Sequence, residues 1–135
     1  MNTEILLGVD YGTSKIGIAL GRNGFVMPIT EINGKNELSA VHDITRIALE
    51  NKVTIIVMGL PISGDGKEGF QARKVRRFSK LLKTISKRPL VFTNEYRSTK
   101  EAQEEGRDKS LLSGNHYEDS LAAALILKRY YNEKQ

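Results

Sequence analysis

Residues 6–21 read LLGVDYGTSKIGIALG: an apolar run, a single acid at its end, a short polar turn with glycine, and a second apolar run. Two β-type runs joined by Tyr11-Gly12-Thr13-Ser14 predict a strand, a tight turn and an antiparallel strand. Asp10 at the end of the first run admits three readings: an ordinary turn-forming aspartate, part of a phosphate-gripping turn, or a metal ligand. The rest of the chain bears on that choice.

Outward from this stretch, residues 4–10, 15–21 and 25–32 are three short β-type runs punctuated by Gly and Asn, as in an antiparallel meander. Residues 36–51 carry Leu38, Val41, Ile44 and Ala48 at helical spacing. Residues 53–60 form a continuous apolar run, as in a strand buried on both faces. A loop, PISGDGKEG, occupies 61–69, and a helix over 70–87 has Val75, Phe78, Leu81, Leu82 and Ile85 as its apolar stripe. Residues 89–95 read as another buried strand, ended by a capping-box pattern at Ser98 and Glu101 that starts a helix. Residues 106–115 read as flexible, and a last helix runs over 117–131. A meander followed by alternating helices and strands predicts an α/β domain: a mixed five-stranded sheet, antiparallel then parallel, with helices on its faces.

At 135 residues the chain fits a single domain spanning 1–135, and 39% hydrophobic with 27% charged residues is ordinary for a globular protein. Without cysteine, disulfides and thiolate metal sites are excluded. The N-terminal apolar run is too short for a signal peptide or a membrane span, so a cytoplasmic location and no membrane partner are expected. The net charge of +5 points to a polyanionic partner, nucleic acid first.

Three acids stand where such a fold can use them. Asp10 ends the first strand and Glu95 the last; if these strands run parallel and adjacent, their carboxyl ends open into one crevice. Asp119 shares a helix face with Ala122, Ala123 and Ile126, an apolar face suited to packing on the sheet. Converging carboxylates repel, and a hard divalent cation such as Mg²⁺ or Mn²⁺ resolves the conflict with oxygen ligands. One or two such ions suit phosphodiester hydrolysis. His42 and His116 are not needed as ligands. Each acid also has an ordinary structural reading, Glu95 as a solvated strand end and Asp119 as a first-turn helix acid.

The motifs GVDYGTSKIGIAL, VMGLPISGDGKEG, NEYRSTKEA and DSLAAALIL, in this order, resemble those of the YqgF/RuvX family. Its members are described as Holliday junction resolvase-like proteins and as pre-16S rRNA nucleases of the RNase H-like superfamily. The resemblance covers nearly the whole chain through Asp10, Gly12, Lys15, Gly17, Gly59, Pro61, Gly66, Glu95 and Asp119. It implies an RNase H-like fold with the first strand central and beside the fourth. It also implies metal-dependent endonuclease activity on structured nucleic acid, with Asp10, Glu95 and Asp119 as catalytic, metal-holding acids and Mg²⁺ or Mn²⁺ as cofactor. The implied partners are an rRNA precursor, branched DNA and a pre-ribosomal particle, and Gly12, Gly59, Pro61 and Gly66 fall on its structural turns. The chain departs from the family at Asn94, where Asp is usual, and at Tyr96, where Arg is usual; Arg97 stands one place later, which in an extended segment is the opposite face.

Lys15 and Arg97 are candidate phosphate contacts, as are Arg76 and Lys80, which with Lys83 and Lys87 line one side of the 70–87 helix. A solvated helix face is the alternative meaning of that run. Lys67, Arg107 and Lys109 lie on loops that either approach substrate or simply connect. Tyr130 and Tyr131 read as packing or dimer-contact residues in a monomer or homodimer. Two other functions remain open: a non-catalytic RNA-binding ribosome-assembly factor, and an actin/sugar-kinase-like phosphotransferase, which usually needs a second lobe.

Overall fold

The computed structural model describes residues 4–96 and 117–134. The helix expected from Ser98, the 106–115 segment and Arg97 lie outside the described residues. The elements are β1 (Ile5–Asp10), β2 (Lys15–Arg22), β3 (Phe25–Asn33), α1 (Glu37–Glu50), β4 (Ile55–Ile62), α2 (Phe70–Ser86), β5 (Leu90–Tyr96) and α3 (Tyr117–Glu133).

The strands form one sheet in the order β3-β2-β1-β4-β5. β1 pairs antiparallel with β2, and β2 with β3, while β1–β4 and β4–β5 are parallel. The β2–β3 turn is Asn23-Gly24, both at positive φ (54° and 83°), a two-residue geometry that matches the twist of a hairpin. β1 is central, and β4 lies between it and β5. The first strand is thus central and beside the fourth, as the resemblance implies, and the Asp10 and Glu95 strands run parallel with β4 between them.

Strand alternation sends successive side chains to opposite faces. On one face Leu7, Val9, Ile16, Ile18, Ile56 and Met58 pack with Ala40, Val41 and Ile44 of α1 and Val75, Phe78 and Leu82 of α2. On the other, Leu6, Ala19 and Val57 pack with Ala123, Ile126 and Leu127 of α3. Burying each of the larger side chains contributes roughly 1.5–3 kcal/mol. Tyr130 is buried in this second cluster and Tyr131 packs against it, which gives both a place in the monomer's own packing.

Three sequence expectations shift in detail. Leu38 is half exposed rather than part of the α1 stripe; at about 100° per residue it lies about 100° from the centre of the buried arc formed by Ala40, Val41, Ile44 and Ala48. The fourth strand continues through Pro61 to Ile62, where a loop was expected. β1 has no pairing beyond Met58, so the N–H that Pro61 lacks removes no bond on that side. The last helix extends to Glu133.

α1 begins at Asn36, whose side chain accepts the Ser39 N–H at 2.9 Å. α2 ends at Lys87 in the left-handed region, φ 56°. No helix among the described residues is long and apolar enough to cross a membrane.

Candidate functional site

The carboxyl ends of β1, β4 and β5 share one rim because the three strands run parallel. At that rim a pocket of ≈ 300 Å³ is lined by Asp10, Tyr11, Gly12 and Thr13, by Gly59 and Pro61, by Gln71 and Val75 of α2, and by Glu95. Leu6 and Gly8 face α3, so Asp10 falls on the same side; Val57 places Gly59 and Pro61 there too, and Glu95 follows by pairing with Pro61.

Gly59 is what lets Glu95 lie over the strand that separates it from Asp10. A Cβ on Gly59 would stand 2.6 Å from Cδ of Glu95 and 2.8 Å from both its carboxylate oxygens. The Glu95 carboxylate thus occupies space that any side chain at position 59 would fill. Both acids are partly buried. Thr93, the Gly59 pairing partner, is buried, and its hydroxyl has no hydrogen-bond partner among the described residues.

Tyr11 fixes the backbone immediately after Asp10. Its ring packs on Phe78 with centroids 4.6 Å apart, and its hydroxyl donates to Glu37 Oε1 at 3.1 Å. Arg77 of α2 also reaches Glu37, at 3.3 Å. Burial first, then the hydrogen bond and the nearby Glu37 charge, push the Tyr11 phenol above its usual range, while Arg77 opposes them. No helical or strand periodicity announces this link; only the approach of α1 to α2 creates it.

Asp119 lies in the first turn of α3, four residues before Ala123. Ala123 packs its carbonyl over Gly8, where a Cβ would come within 2.7 Å, and Tyr131 lies against Gly21. Gly21 pairs with Leu6, so α3 runs antiparallel to β1 and its first turn lies toward the Asp10 end. The Asp119 side chain is outside the described residues. Among the described residues no group of three or more His, Cys, Asp or Glu side chains is arranged to hold a metal ion. Of the three acids singled out from sequence, the described structure brings Asp10 and Glu95 into one pocket.

The basic candidates are distributed differently from the acids. Arg76 is held by Glu68 through two contacts of 2.6 and 2.7 Å and lies over the Phe92 ring. That pairing lowers the Glu68 carboxyl and raises the Arg76 guanidinium relative to their ordinary values. Lys80 is exposed on α2, roughly 13 Å along the helix axis from Gln71 in the pocket, at 1.5 Å per residue. Lys15 lines a neighbouring cleft and pairs with Glu31 at 3.3 Å. At the unusual Asn94, Arg129 of α3 donates to the backbone carbonyl at 2.9 Å. The loop after β4 closes on itself: Ser63 N–H bonds Lys67 O at 3.0 Å and Gly66 sits at φ 81°. Asp65 accepts from the Ser63 hydroxyl and the Lys67 N–H, which lowers its carboxyl.

The RuvX family, described as Holliday junction resolvase, matches residues 4–133 of this chain. The chain belongs to the RuvX family. A Synechococcus elongatus relative named "Putative pre-16S rRNA nuclease" is 37% identical over 135 residues, covering 96% of this chain and 89% of its own. A relative of the same name from Chloroflexus aurantiacus is 30% identical, covering 100% and 91%. Among solved structures, Thermus thermophilus RuvC in complex with a Holliday junction aligns with TM-score 0.59 at 10% identity, covering 98% of this chain and 97% of that one. Fowlpox virus resolvase, solved with Holliday junction DNA, aligns with TM-score 0.59 at 15% identity, covering 96% and 97%. At such identities the likeness shows the fold, which is the RNase H-like fold of RuvC. Membership of the RuvX family makes the chain part of a family of nucleic-acid hydrolases.

Proposed function

We propose that this RuvX-family chain is a divalent-metal-dependent endonuclease of structured nucleic acid, acting in the cytoplasm on the 5′ end of the small-subunit rRNA precursor, pre-16S rRNA. The observation that carries the reading is the meeting of Asp10 and Glu95 across Gly59 at the carboxyl rim of three parallel strands. The names of the relatives support the rRNA substrate, and the resolvases of like fold support nucleic acid as the partner.

The donor chemistry fits Mg²⁺ or Mn²⁺. The described acids of the pocket offer carboxylate oxygen and no imidazole or thiolate, and the backbone at Gly59 is opened where the Glu95 carboxylate sits. Asp10 and Glu95 would hold the ion, with Asp119 as a third oxygen ligand from α3. Bound there, the ion would supply charge neutralisation at the phosphodiester and a more acidic water. The chain's own residues set the geometry. The Tyr11–Glu37 bond and the Tyr11–Phe78 packing hold the turn after Asp10, and Gln71 and Thr13 border the space where a phosphate would enter.

The test is cleavage of an rRNA precursor and of branched DNA with Mn²⁺, Mg²⁺ or EDTA, comparing the unsubstituted chain with Asp10→Asn. Metal-dependent cuts lost in Asp10→Asn support the proposal. RNA binding with no turnover in any metal would favour a non-catalytic assembly factor instead.

A further inference from the structure

A second cleft, of ≈ 630 Å³, opens beside Asp10 on the side away from Glu95. Asp10 pairs with Gly17, and Gly17 pairs with Glu31, so the three lie in one row across β1, β2 and β3. Gly17 contributes no side chain between the two acids. Lys15, Glu31 and Lys35 line the cleft together with the apolar Ile29 and Ile32, and Ser120 of α3 closes one side.

Lys15 is held by an ion pair, and Lys35 is carried on a turn whose backbone is braced close to Asp10. Lys15 is half exposed, and its ammonium is tied at 3.3 Å to Glu31, whose side chain is only 9% exposed. Lys35 is carried by a turn bolted to the one that follows Asp10. Gly34 N–H donates to Ser14 O at 2.8 Å, and a Cβ on Gly34 would stand 2.6 Å from Gly12 O. Asn33 Oδ1 accepts the Lys35 N–H at 2.8 Å, which sets the turn itself.

We propose that this cleft is a second nucleotide subsite. It takes the sugar and phosphate of the nucleotide neighbouring the one at Asp10, with Lys15 and Lys35 on that phosphate. The volume suits a bound small group of this size, and a paired Lys15 beside a Lys35 carried on a braced turn suits a phosphodiester. Glu31 meets the Lys15 ammonium through one contact, unlike the two-contact Arg76–Glu68 pair, and the half-exposed side chain leaves further N–H donors accessible. The proposal rests on the nucleic-acid reading above but not on catalysis.

Binding of single-stranded RNA and DNA oligonucleotides of one sequence is measured in EDTA, across a salt series. The Asp10→Asn chain is compared with the same chain carrying Lys35→Gln or, as a charge-matched control, Lys128→Gln. Lys128 is exposed on α3 and lines neither pocket. Loss of one phosphate contact lowers the salt slope by about 0.7, which corresponds to about 5-fold weaker binding at 0.1 M salt. Lys35→Gln is expected to show that loss with both RNA and DNA, and Lys128→Gln to show none. Equal behaviour of the two variants overturns the subsite, and a loss with only one of the two sugars overturns the phosphate assignment. If the parent chain binds neither oligonucleotide but binds the rRNA precursor, the subsite is overturned and the nucleic-acid reading stands; if it binds none of the three, both fail.

Discussion

The carboxylate of Glu95 lies where the side chain of residue 59 would be: a Cβ on Gly59 would approach Glu95 Cδ to 2.6 Å. β4 separates the strands of Asp10 and Glu95, and this one missing side chain makes room for the second acid over it. Gly59→Ala should therefore displace Glu95 while the sheet persists. We expect cleavage to fall at least about 10-fold while stability changes by less than about 1 kcal/mol, because the atoms in the way are the end of a flexible, partly exposed side chain that can swing aside. Unfolding curves and cleavage rates on the same preparation check it. Full activity in Gly59→Ala would show that Glu95 is not needed where it lies.

Gly8 has the same relation to α3. A Cβ there would stand 2.7 Å from the Ala123 carbonyl and from Leu127 Cγ, and backbone does not give way cheaply. Gly8→Val is expected to cost at least about 1–3 kcal/mol. Gly64→Ala, where no atom lies within 4 Å of the new Cβ, is expected to stay within about 0.5 kcal/mol of the parent. Denaturant midpoints compare the two.

The phenol of Tyr11 has its proton affinity raised in the folded state, chiefly by burial and then by Glu37. A folded pKa above the unfolded value means that the folded chain holds the proton more tightly. The associated stability is complete below pH 10.0, the unsubstituted value, and is lost as pH rises through the higher folded one. Stability of the parent should thus decline above about pH 10 more steeply than that of Tyr11→Phe. At neutral pH the same substitution removes one hydrogen bond, worth about 1 kcal/mol. Tyr131 is shifted in the same direction by burial, so some alkaline loss persists in the variant.

Arg76 is taken up by Glu68 in the free protein. Glu68→Gln removes the competing charge and leaves the guanidinium available to phosphate. Nucleic-acid affinity should rise at low salt, and the difference should fade as salt screens it. Affinity that falls instead would mean that Glu68 orients Arg76 for the same contact.

Much of this was legible in the sequence because periodicity and punctuation are local. The apolar runs around Asp10, the Asn23-Gly24 turn and the α2 stripe each declare their element within a few residues. Pairing between distant strands is not local. Alternation alone leaves the strand order open; the family resemblance implies β1 central and beside β4, and the sheet shows the two acids meeting across β4 instead of on neighbouring strands. The function of Gly59 was equally hidden: a glycine in a buried strand has no sequence mark for the side chain that fills its space. The partners of the cations were hidden for another reason. Glu68 and Glu31 have no regular spacing to Arg76 and Lys15, and loop closure and cross-strand register bring them together. Asp119 was singled out by helix spacing, and its backbone lies on α3, which crosses the face that Asp10 and Glu95 share.

The most direct measurement is the rate of Mn²⁺- or Mg²⁺-dependent cleavage of an rRNA precursor by the parent chain, Asp10→Asn and Glu95→Gln, with binding to the same RNA measured in EDTA. The metal-site account predicts that each substitution lowers cleavage by more than about 100-fold, the kinetic equivalent of about 3 kcal/mol of lost transition-state stabilisation, while RNA binding persists. Cleavage at the parental rate in Asp10→Asn would contradict it.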